Sequence, residues 1–194
     1  GRFGLQVTAS HNPPSDNGLK LFVDGEEFDA DAEGRIEERV AAGGESVAWD
    51  EWGASTDVDP LAAYREAVAE FALGHGDPLA GRTVVVDCGN GMASLATPQV
   101  LRALGAHVVT LNGNVDGHFP GRPSKPTPET LGDLMAFVAA ADDDVLGIAH
   151  DLDGQRTREL VREDRDRAVG GQVVGAGLGG AVGRGVVRGN VEDT

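Results

Sequence analysis

A serine near the start of the sequence has neighbours that could let it carry a phosphoryl group. The run TASHNPP at positions 8–14 cannot continue as a regular helix or strand, because its prolines and asparagine interrupt both. His11 and Asn12 follow Ser10, and a predicted strand brings Lys20, one of two lysines in the chain, back towards it. A serine hydroxyl needs a base or a positive field to act as a nucleophile. A proline-stabilised turn with a solvated serine is the alternative interpretation.

Two carboxylates later in the chain have the spacing of a cation site. Asp151 and Asp153 follow an apolar run at 145–149 that predicts a strand. Carboxylates two residues apart on a loop can point at one cation, and hard oxygen ligands suit Mg²⁺. Arg156 adds a guanidinium that could hold a carboxylate or a phosphate. Because the chain has 32 acidic residues, a solvated loop without a cation stays open as the alternative.

A glycine turn, DCGNG at positions 87–91, follows another continuous apolar run. Its backbone N–H groups could meet an anion, or the turn could simply let a helix pack on the sheet. It lacks the G-x-G-x-x-G spacing of a dinucleotide site, so NAD is not predicted. The Gly- and Pro-rich segment 112–126 is expected to be a surface loop.

These loops are positioned by alternating strands and helices. Apolar runs predict strands, and Thr-Pro pairs predict helix starts between them, with strands at 83–86, 107–111 and 145–149 and helices from 97 and 127. Strands joined by crossover helices form a parallel sheet, and ligands bind at its carboxyl edge. We therefore expect residues 87–91 and 150–156 at the same edge of one α/β domain.

The N-terminal part has a different pattern. Strands are expected at 3–7 and 18–23, followed by an acidic helix over 30–42. Asp59 and Pro60 have the residue types of a helix N-terminus. Four apolar residues of the helix that follows fall at helical spacing and give it one apolar face, namely Leu61, Tyr64, Val68 and Phe71.

Composition excludes several classes of partner. Sixteen Lys and Arg against 32 Asp and Glu give a net charge of −16, which excludes nucleic acid as a binding partner. No apolar run approaches the ~20 residues of a membrane span. Cys88 is the only cysteine, so an internal disulfide or a cysteine metal cluster is excluded and a reducing, cytoplasmic location is expected. The acidic surplus is also typical of halophile proteins.

The charge balance changes near position 156. Residues 1–155 contain 9 basic and 26 acidic side chains, whereas residues 156–194 contain 7 and 6. From Gly170 onward, nine of 25 residues are glycine, which loses the most backbone entropy on ordering. Residues 157–194 are therefore expected to be a disordered or non-native tail, with a Gly-rich linker or binding loop as the alternative.

Taken in order, the motifs resemble the α-D-phosphohexomutases, the superfamily of phosphoglucomutase, phosphomannomutase and phosphoglucosamine mutase. The similarity runs from the first residue to about residue 156 and is closest to archaeal members. It rests on TASHNP with NGLKL at 17–21, VDCGNG at 86–91, DGHFPGRP at 116–123 with PTPE at 126–129, and GIAHD at 147–151.

The resemblance implies an α/β fold with two parts. Residues 59–156 would form domain II, a parallel-sheet α/β/α domain with the metal loop. Residues 1–58 would form the C-terminal part of a similar domain I, with the phosphoserine loop. The motifs of the family's third and fourth domains are absent from this sequence. The resemblance therefore implies an incomplete and inactive fragment, or a partner chain that supplies the missing domains.

The family's reaction implies a role for each candidate residue. A phosphoserine passes its phosphoryl group to a hexose monophosphate, the bisphosphate reorients, and hexose 1-phosphate and 6-phosphate interconvert. By resemblance, Ser10 is the phosphoserine and Lys20 a proton shuttle, with His11 and Arg156 also catalytic and Asn12 contacting substrate. Mg²⁺ would be held by Ser10, Asp151, Asp153 and Gln155, and a glucose 1,6-bisphosphate-type activator would prime the serine.

The metal loop departs from the family pattern D-G-D-x-D-R at two positions. Gln155 replaces an aspartate, so its amide oxygen can ligate Mg²⁺ without contributing charge, and weaker binding is expected. Leu152 replaces a glycine and is expected to hinder the turn. An active mutase, a non-catalytic remnant and a hexose-phosphate-binding module all stay open, as do glucose, mannose and glucosamine phosphates as the substrate.

Overall fold

The computed structural model describes residues 2–8, 12–44, 46–74, 79–141, 145–152, 154, 156–163 and 167–174, with backbone alone for the last two ranges. The chain divides into two compact units. The first contains Gly1–Thr8 and Asn17–Pro60, and the second contains Ala9–Asp16 and Leu61–Thr194. Each unit has its own β-sheet.

The first unit is a small antiparallel sheet followed by a helix. Strands β1 (Phe3–Val7), β2 (Leu19–Val23) and β3 (Glu26–Glu27) pair in that order. Asp24 and Gly25 join β2 to β3 with φ angles of +52° and +91°, as in the two-residue turns that match strand twist. Helix α1 (Ala30–Ala41) begins where the Asp29 carboxylate accepts the Ala32 N–H at 2.8 Å.

The second unit contains a parallel sheet with a core on both faces. Its parallel strands are β4 (Thr83–Asp87), β5 (His107–Leu111) and β6 (Val145–His150), in the order β5-β4-β6. Val85 packs on one face against helix α4 (Gly132–Ala140), and Val84 and Val86 pack on the other against helix α3 (Thr97–Ala103). The buried TVVVD run of β4 is what a strand covered on both faces requires. The predicted α/β fold is confirmed.

Helix α2 (Leu61–Leu73) forms where predicted, and its apolar face is buried only in part. Tyr64 is 42% exposed and Phe71 56% exposed, whereas Ala69 is buried. The half-buried Arg65 donates its Nε–H to the Leu95 carbonyl at 2.7 Å. Leu61 and Val68 are half-buried as well, so the buried side of the helix contains two of the four apolar residues together with Arg65.

The sheet continues beyond the parallel strands. Strands β7 (Arg156–Glu163) and β8 (Arg167–Val174) extend it as an antiparallel pair next to β6. This backbone pairing differs from the disordered or non-native tail expected over 157–194, because ladder hydrogen bonds from a neighbouring strand offset a low strand propensity. Residues 175–194 lie outside the described residues, so for them the expectation stays a prediction. None of the described helices is long and apolar enough to cross a membrane.

Candidate active site

Asp151 lies at the carboxyl edge of the parallel sheet, directly after β6, and is fully buried. Parallel pairing sets Asp87 of β4 opposite Ala149 of β6, so the turn at 87–91 and the loop beginning at His150 leave the sheet side by side. This confirms that the two segments share one edge. Edges of this kind are where open α/β sheets bind ligands.

The loop after Asp151 turns at a glycine. Gly154 has a φ of +75° and its N–H donates to the Asp151 carbonyl at 3.2 Å, which closes a tight turn. Leu152 is buried, is not among the residues with positive φ, and accepts a hydrogen bond from the Met92 N–H at 2.8 Å. The expectation that Leu152 hinders the metal loop stays a prediction, because Asp153 and Gln155 lie outside the described residues.

The Asp87 carboxylate is the electrostatic centre of this edge. Its Oδ1 accepts the Gly89 N–H at 2.9 Å and the Asn112 side-chain amide at 3.0 Å. Its Oδ2 accepts the Arg122 Nε–H at 2.8 Å. Asp87 is 2% exposed and Arg122 6% exposed, so this is a buried ion pair with supporting hydrogen bonds, the arrangement that buried charges need.

Asn90 fixes the following loop to the glycine turn. Its side-chain oxygen accepts the Gly121 N–H at 3.0 Å, and its amide donates to Asn114 at 3.0 Å. Its backbone N–H donates to the Asn112 carbonyl at 2.9 Å, and its carbonyl accepts the Asp116 N–H at 3.0 Å. The segment expected to be a surface loop is thus hydrogen-bonded along its length to the sheet edge.

Burial sets the ionisation of two groups at this edge. Desolvation, reinforced by the Arg122 charge and opposed by Asp87, lowers the pKa of His150 to about 4, so its imidazole is neutral at pH 7. Burial, together with the Asp87 charge, raises the pKa of Cys88 to about 11. The Cys88 thiol is therefore protonated at neutral pH and unsuited to act as a nucleophile.

The pKa of Asp116, in the loop at 112–126, is shifted as well. Two hydrogen bonds from His118 to the Asp116 carboxylate, from its backbone N–H at 2.9 Å and its ring Nδ1 at 3.2 Å, lower the pKa of Asp116. Asp116 therefore stays ionised at neutral pH.

The residues expected to carry the chemistry are described to different extents. Lys20 lies on β2, half-buried, with its Nζ 3.0 Å from the Glu27 carboxylate, and Asn12 is exposed. Five candidates are not described at the level of side chains: Ser10, His11, Asp153 and Gln155 lie outside the described residues, and Arg156 is described as backbone of β7. Among the described residues no three His, Cys, Asp or Glu side chains form a metal-binding group.

Two residues at this edge, Arg122 and Asn112, were not among the candidates predicted from sequence. Arg122 lies in the GRP part of the loop motif, and Asn112 directly follows β5. A residue in a Pro-rich loop is not part of a hydrophobic repeat, so the sequence does not predict whether it is buried. The structure is needed to identify Asp87 as the partner of Arg122. Asn112 has a φ of +49°, which is uncommon for a residue other than glycine. Its position directly after a parallel strand is the feature of the sequence that could have identified it as a site residue.

Comparison with known families gives two matches in chain order. The model of phosphoglucomutase/phosphomannomutase alpha/beta/alpha domain I matches residues 2–46. The model of alpha/beta/alpha domain II of the same family matches residues 62–163, which is more than half of the chain.

Individual relatives have names from the same superfamily. A probable phosphoglucosamine mutase of Methanopyrus kandleri is 43% identical over 164 residues, covering 84% of this chain and 35% of the relative. A phosphopentomutase of Thermococcus kodakarensis is 41% identical, covering 79% of this chain and 33% of the relative. The chain thus spans about a third of the length of the curated relatives it matches.

A solved structure agrees with the sequence comparisons. A phosphoglucomutase/phosphomannomutase family protein from Burkholderia thailandensis superposes with a TM-score of 0.69 at 33% identity, over 86% of this chain and 34% of that one. The domain II model matches the stretch that contains the buried edge around Asp87 and Asp151. The chain belongs to the α-D-phosphohexomutase superfamily, within the phosphoglucomutase/phosphomannomutase family.

Proposed function

We propose that this chain carries the phosphoserine loop and the metal loop of a phosphohexomutase, which interconverts hexose 1-phosphate and hexose 6-phosphate. The observation that carries the proposal is the buried Asp151 carboxylate at the carboxyl edge of the sheet, within the stretch matched by domain II. Relatives named phosphoglucosamine mutase and phosphopentomutase support sugar monophosphates as the substrate class. A hexose is our choice within that class.

The proposed roles of the chain's own residues follow from their chemistry. Ser10 would accept and return the phosphoryl group, with His11 and Asn12 orienting it. Lys20 would move the proton of the attacking hydroxyl, and it lies on a strand beside Glu27 with its Nζ half-buried. Arg156 would hold a phosphate oxygen through its planar guanidinium. Phosphoryl transfer depends mainly on positioning and charge neutralisation, and these residue types supply both.

Magnesium fits the donors that this loop offers. Asp151 contributes a carboxylate, Asp153 a second, and Gln155 an amide oxygen, all of which are hard oxygen ligands. When bound, the cation would neutralise charge on the phosphoryl oxygens. Because Gln155 supplies no charge, we propose weaker magnesium binding than in relatives with a third carboxylate. Priming by a hexose bisphosphate of the glucose 1,6-bisphosphate type completes the proposal.

The amount of chain limits what it does alone. Because the chain spans about a third of its relatives' length, we propose that these 194 residues take up a phosphoryl group without completing the isomerisation. A separate chain carrying the remaining family segments would restore turnover. The loss of one carboxylate at Gln155 favours a second candidate, a non-catalytic remnant that binds hexose phosphate or nothing.

The test is phosphorylation of Ser10. The full chain is incubated with glucose 1,6-bisphosphate and Mg²⁺, at low and at molar KCl because of its acidic composition, and phosphate is located by peptide mass spectrometry. We expect one adduct at Ser10 that requires Mg²⁺ and is lost when the metal is chelated. Ser10→Ala should abolish it, whereas Ser15→Ala, in the same loop, should leave it unchanged.

The outcomes separate the candidates. A Mg²⁺-dependent adduct at Ser10 supports the mutase half-reaction. Binding of hexose phosphate by calorimetry without an adduct supports the binding module. Neither adduct nor binding under any salt condition supports the remnant and rejects the proposal.

A further inference from the structure

The Arg122 guanidinium is an unusual group to find buried at the edge of a sheet. It belongs to the loop at 112–126 and is 6% exposed. Its Nε donates to Asp87 Oδ2 at 2.8 Å, and its Nη1 donates to the Pro123 carbonyl at 3.1 Å. Burying a charge is costly even when it is paired, and hydrophobic replacements are often as stable. Fold stability alone therefore does not account for a charged group here.

The same guanidinium reaches the strand that precedes the metal loop. Arg122 Nη2 donates to the carbonyl of His150, the last residue of β6. That carbonyl belongs to the peptide group joining His150 to Asp151, so the hydrogen bond fixes the plane from which the Asp151 backbone starts. Arg122 thus connects β4, its own loop and the approach to Asp151.

A second segment holds the other side of Asp151. The Met92 N–H donates to the Leu152 carbonyl at 2.8 Å. The carbonyl groups of the residues immediately before and after Asp151 are therefore both held by groups from elsewhere in the fold. Side chains can be placed to within the tolerance of a metal site only when the backbone under them is fixed in this way.

Two glycines leave the space that these contacts need. A Cβ at Gly89, whose φ is +57°, would lie 2.7 Å from Arg122 Nη2. A Cβ at Gly91 would lie closer than 3.0 Å to the Leu152 carbonyl oxygen. Neither position has room for a side chain, because the turn packs closely against Arg122 and the Leu152 backbone.

We propose that Arg122, held by Asp87, is a positioning residue that aims the Asp151 carboxylate at the cation, a role that rests on the proposed metal site. The guanidinium contacts two partners at the same time. Its Nε–H donates to the Asp87 carboxylate, and its Nη2 donates to the His150 carbonyl. A lysine ammonium keeps the charge but lacks the planar fork that serves both partners. Charge and geometry can therefore be separated by one substitution.

The first measurement is cation affinity in the full chain, by Mg²⁺ calorimetry and by Mn²⁺ electron paramagnetic resonance. We expect Arg122→Lys to weaken binding about 10- to 100-fold, the usual effect of removing a group that orients a metal ligand. Arg102→Lys is the matched control for an exposed arginine of the same unit and should leave affinity unchanged. Val138→Ala, in the core away from this edge, should lower stability and leave affinity unchanged.

The second measurement does not depend on a metal. Hydrogen exchange of the Met92 amide reports on its bond to the Leu152 carbonyl, and we expect Arg122→Lys to speed it more than Val138→Ala does. Gly91→Ala approaches the same loop from the other side with Arg122 intact, and it should weaken cation binding as well.

Each result has a defined consequence. Unchanged affinity and unchanged Met92 exchange in Arg122→Lys would overturn the positioning role, even if the native chain binds Mg²⁺. Equal losses of affinity in Arg122→Lys and Val138→Ala would also overturn it, since general destabilisation would then explain both. Absence of cation binding in the native chain would reject the proposed metal site and with it this inference, whatever the exchange measurement shows.

Discussion

The two units of this chain bury their side chains to very different degrees. Every buried apolar residue in the described part of the chain lies between Ala69 and Leu152, and no described residue up to Pro60 is buried. On β1, Phe3 is 72% exposed and Leu5 58% exposed, although both alternate onto one face as strand residues should. The strands and helix of the first unit form without burying side chains in a core. Those of the second unit pack around a hydrophobic core.

The difference affects the two halves of the proposed chemistry. Asp151 follows a strand whose residues pack into a core, and its loop is held by buried hydrogen bonds. Lys20 lies on a three-stranded sheet without a core, beside a partly exposed Glu27. Small sheets with an uncovered face are only marginally stable by themselves. The loop that contains Asp151 is therefore preorganised in this chain to an extent that the strand carrying Lys20 is not.

The largest predicted effect is on hydrogen exchange of the native chain. Strands β2 and β4 each lie between two neighbouring strands of their sheets, which makes them a matched pair. We expect amides of β4 to exchange about 10³-fold or more slowly than those of β2, because core amides exchange only through opening that costs roughly 5–15 kcal/mol. Mass spectrometry or NMR on the 194-residue chain measures both at once. Equal protection would mean that something covers the first unit, and the comparison would fail.

Removing one partner from an ion pair should distinguish the units next. Asp87→Ala leaves the buried Arg122 charge uncompensated, and we expect it to lower the free energy of unfolding by about 3–5 kcal/mol. Glu27→Ala breaks the more exposed pair with Lys20 and should cost about 1 kcal/mol or less. Urea denaturation followed by circular dichroism measures both. A cost for Glu27→Ala equal to that for Asp87→Ala would contradict the contrast in burial.

The sequence predicted the elements that depend on local signals. β4, β5 and β6 follow from short apolar runs, and α3 begins where Thr97 and Pro98 predict it. The parallel order then placed the glycine turn and the loop after β6 at one edge, as the register shows. These features needed no knowledge of contacts between distant residues.

What the sequence could not predict depends on such contacts. The half-buried position of Arg65 on α2 depends on its bond to the Leu95 carbonyl, thirty positions away, which the apolar pattern does not show. The partner of Arg122 is 35 positions away on β4. The pairing of β8 depends on β7 beside it, a contact that the glycine content of 167–174 does not predict. Long-range hydrogen bonds are decisive in all three cases.

Truncating one buried and one exposed leucine tests the same difference in burial between the two units. Leu134 is fully buried under the parallel sheet, and Leu134→Ala should cost about 2–5 kcal/mol through lost burial and the cavity left behind. Leu5→Ala, at a side chain 58% exposed, should change stability by about 0.5 kcal/mol or less. Thermal and urea unfolding provide the values. A large cost at Leu5 would show that its face is covered in solution.

The smallest predicted effect uses the thiol as a reporter of the second unit alone, since Cys88 is the only cysteine. Burial raises its pKa from the ordinary value of 9.0 to about 11, so the folded state keeps the proton that the unfolded state loses in this range. Stability should therefore be independent of this group below pH 9 and fall as the pH rises from 9 towards 11.

At pH 10 the loss should be about 1 kcal/mol, since one pKa unit corresponds to about 1.4 kcal/mol. The measurement is the difference in unfolding free energy between the native chain and Cys88→Ala at pH 8 and pH 10, which cancels every pH-dependent contribution that the two chains share. Cys88→Ala should lose the pH-dependent part and keep a constant offset from its smaller side chain. If the unfolding free energies of the two chains fall equally between these pH values, the thiol is hydrated in solution. The core that distinguishes the second unit from the first would then not extend to the end of β4.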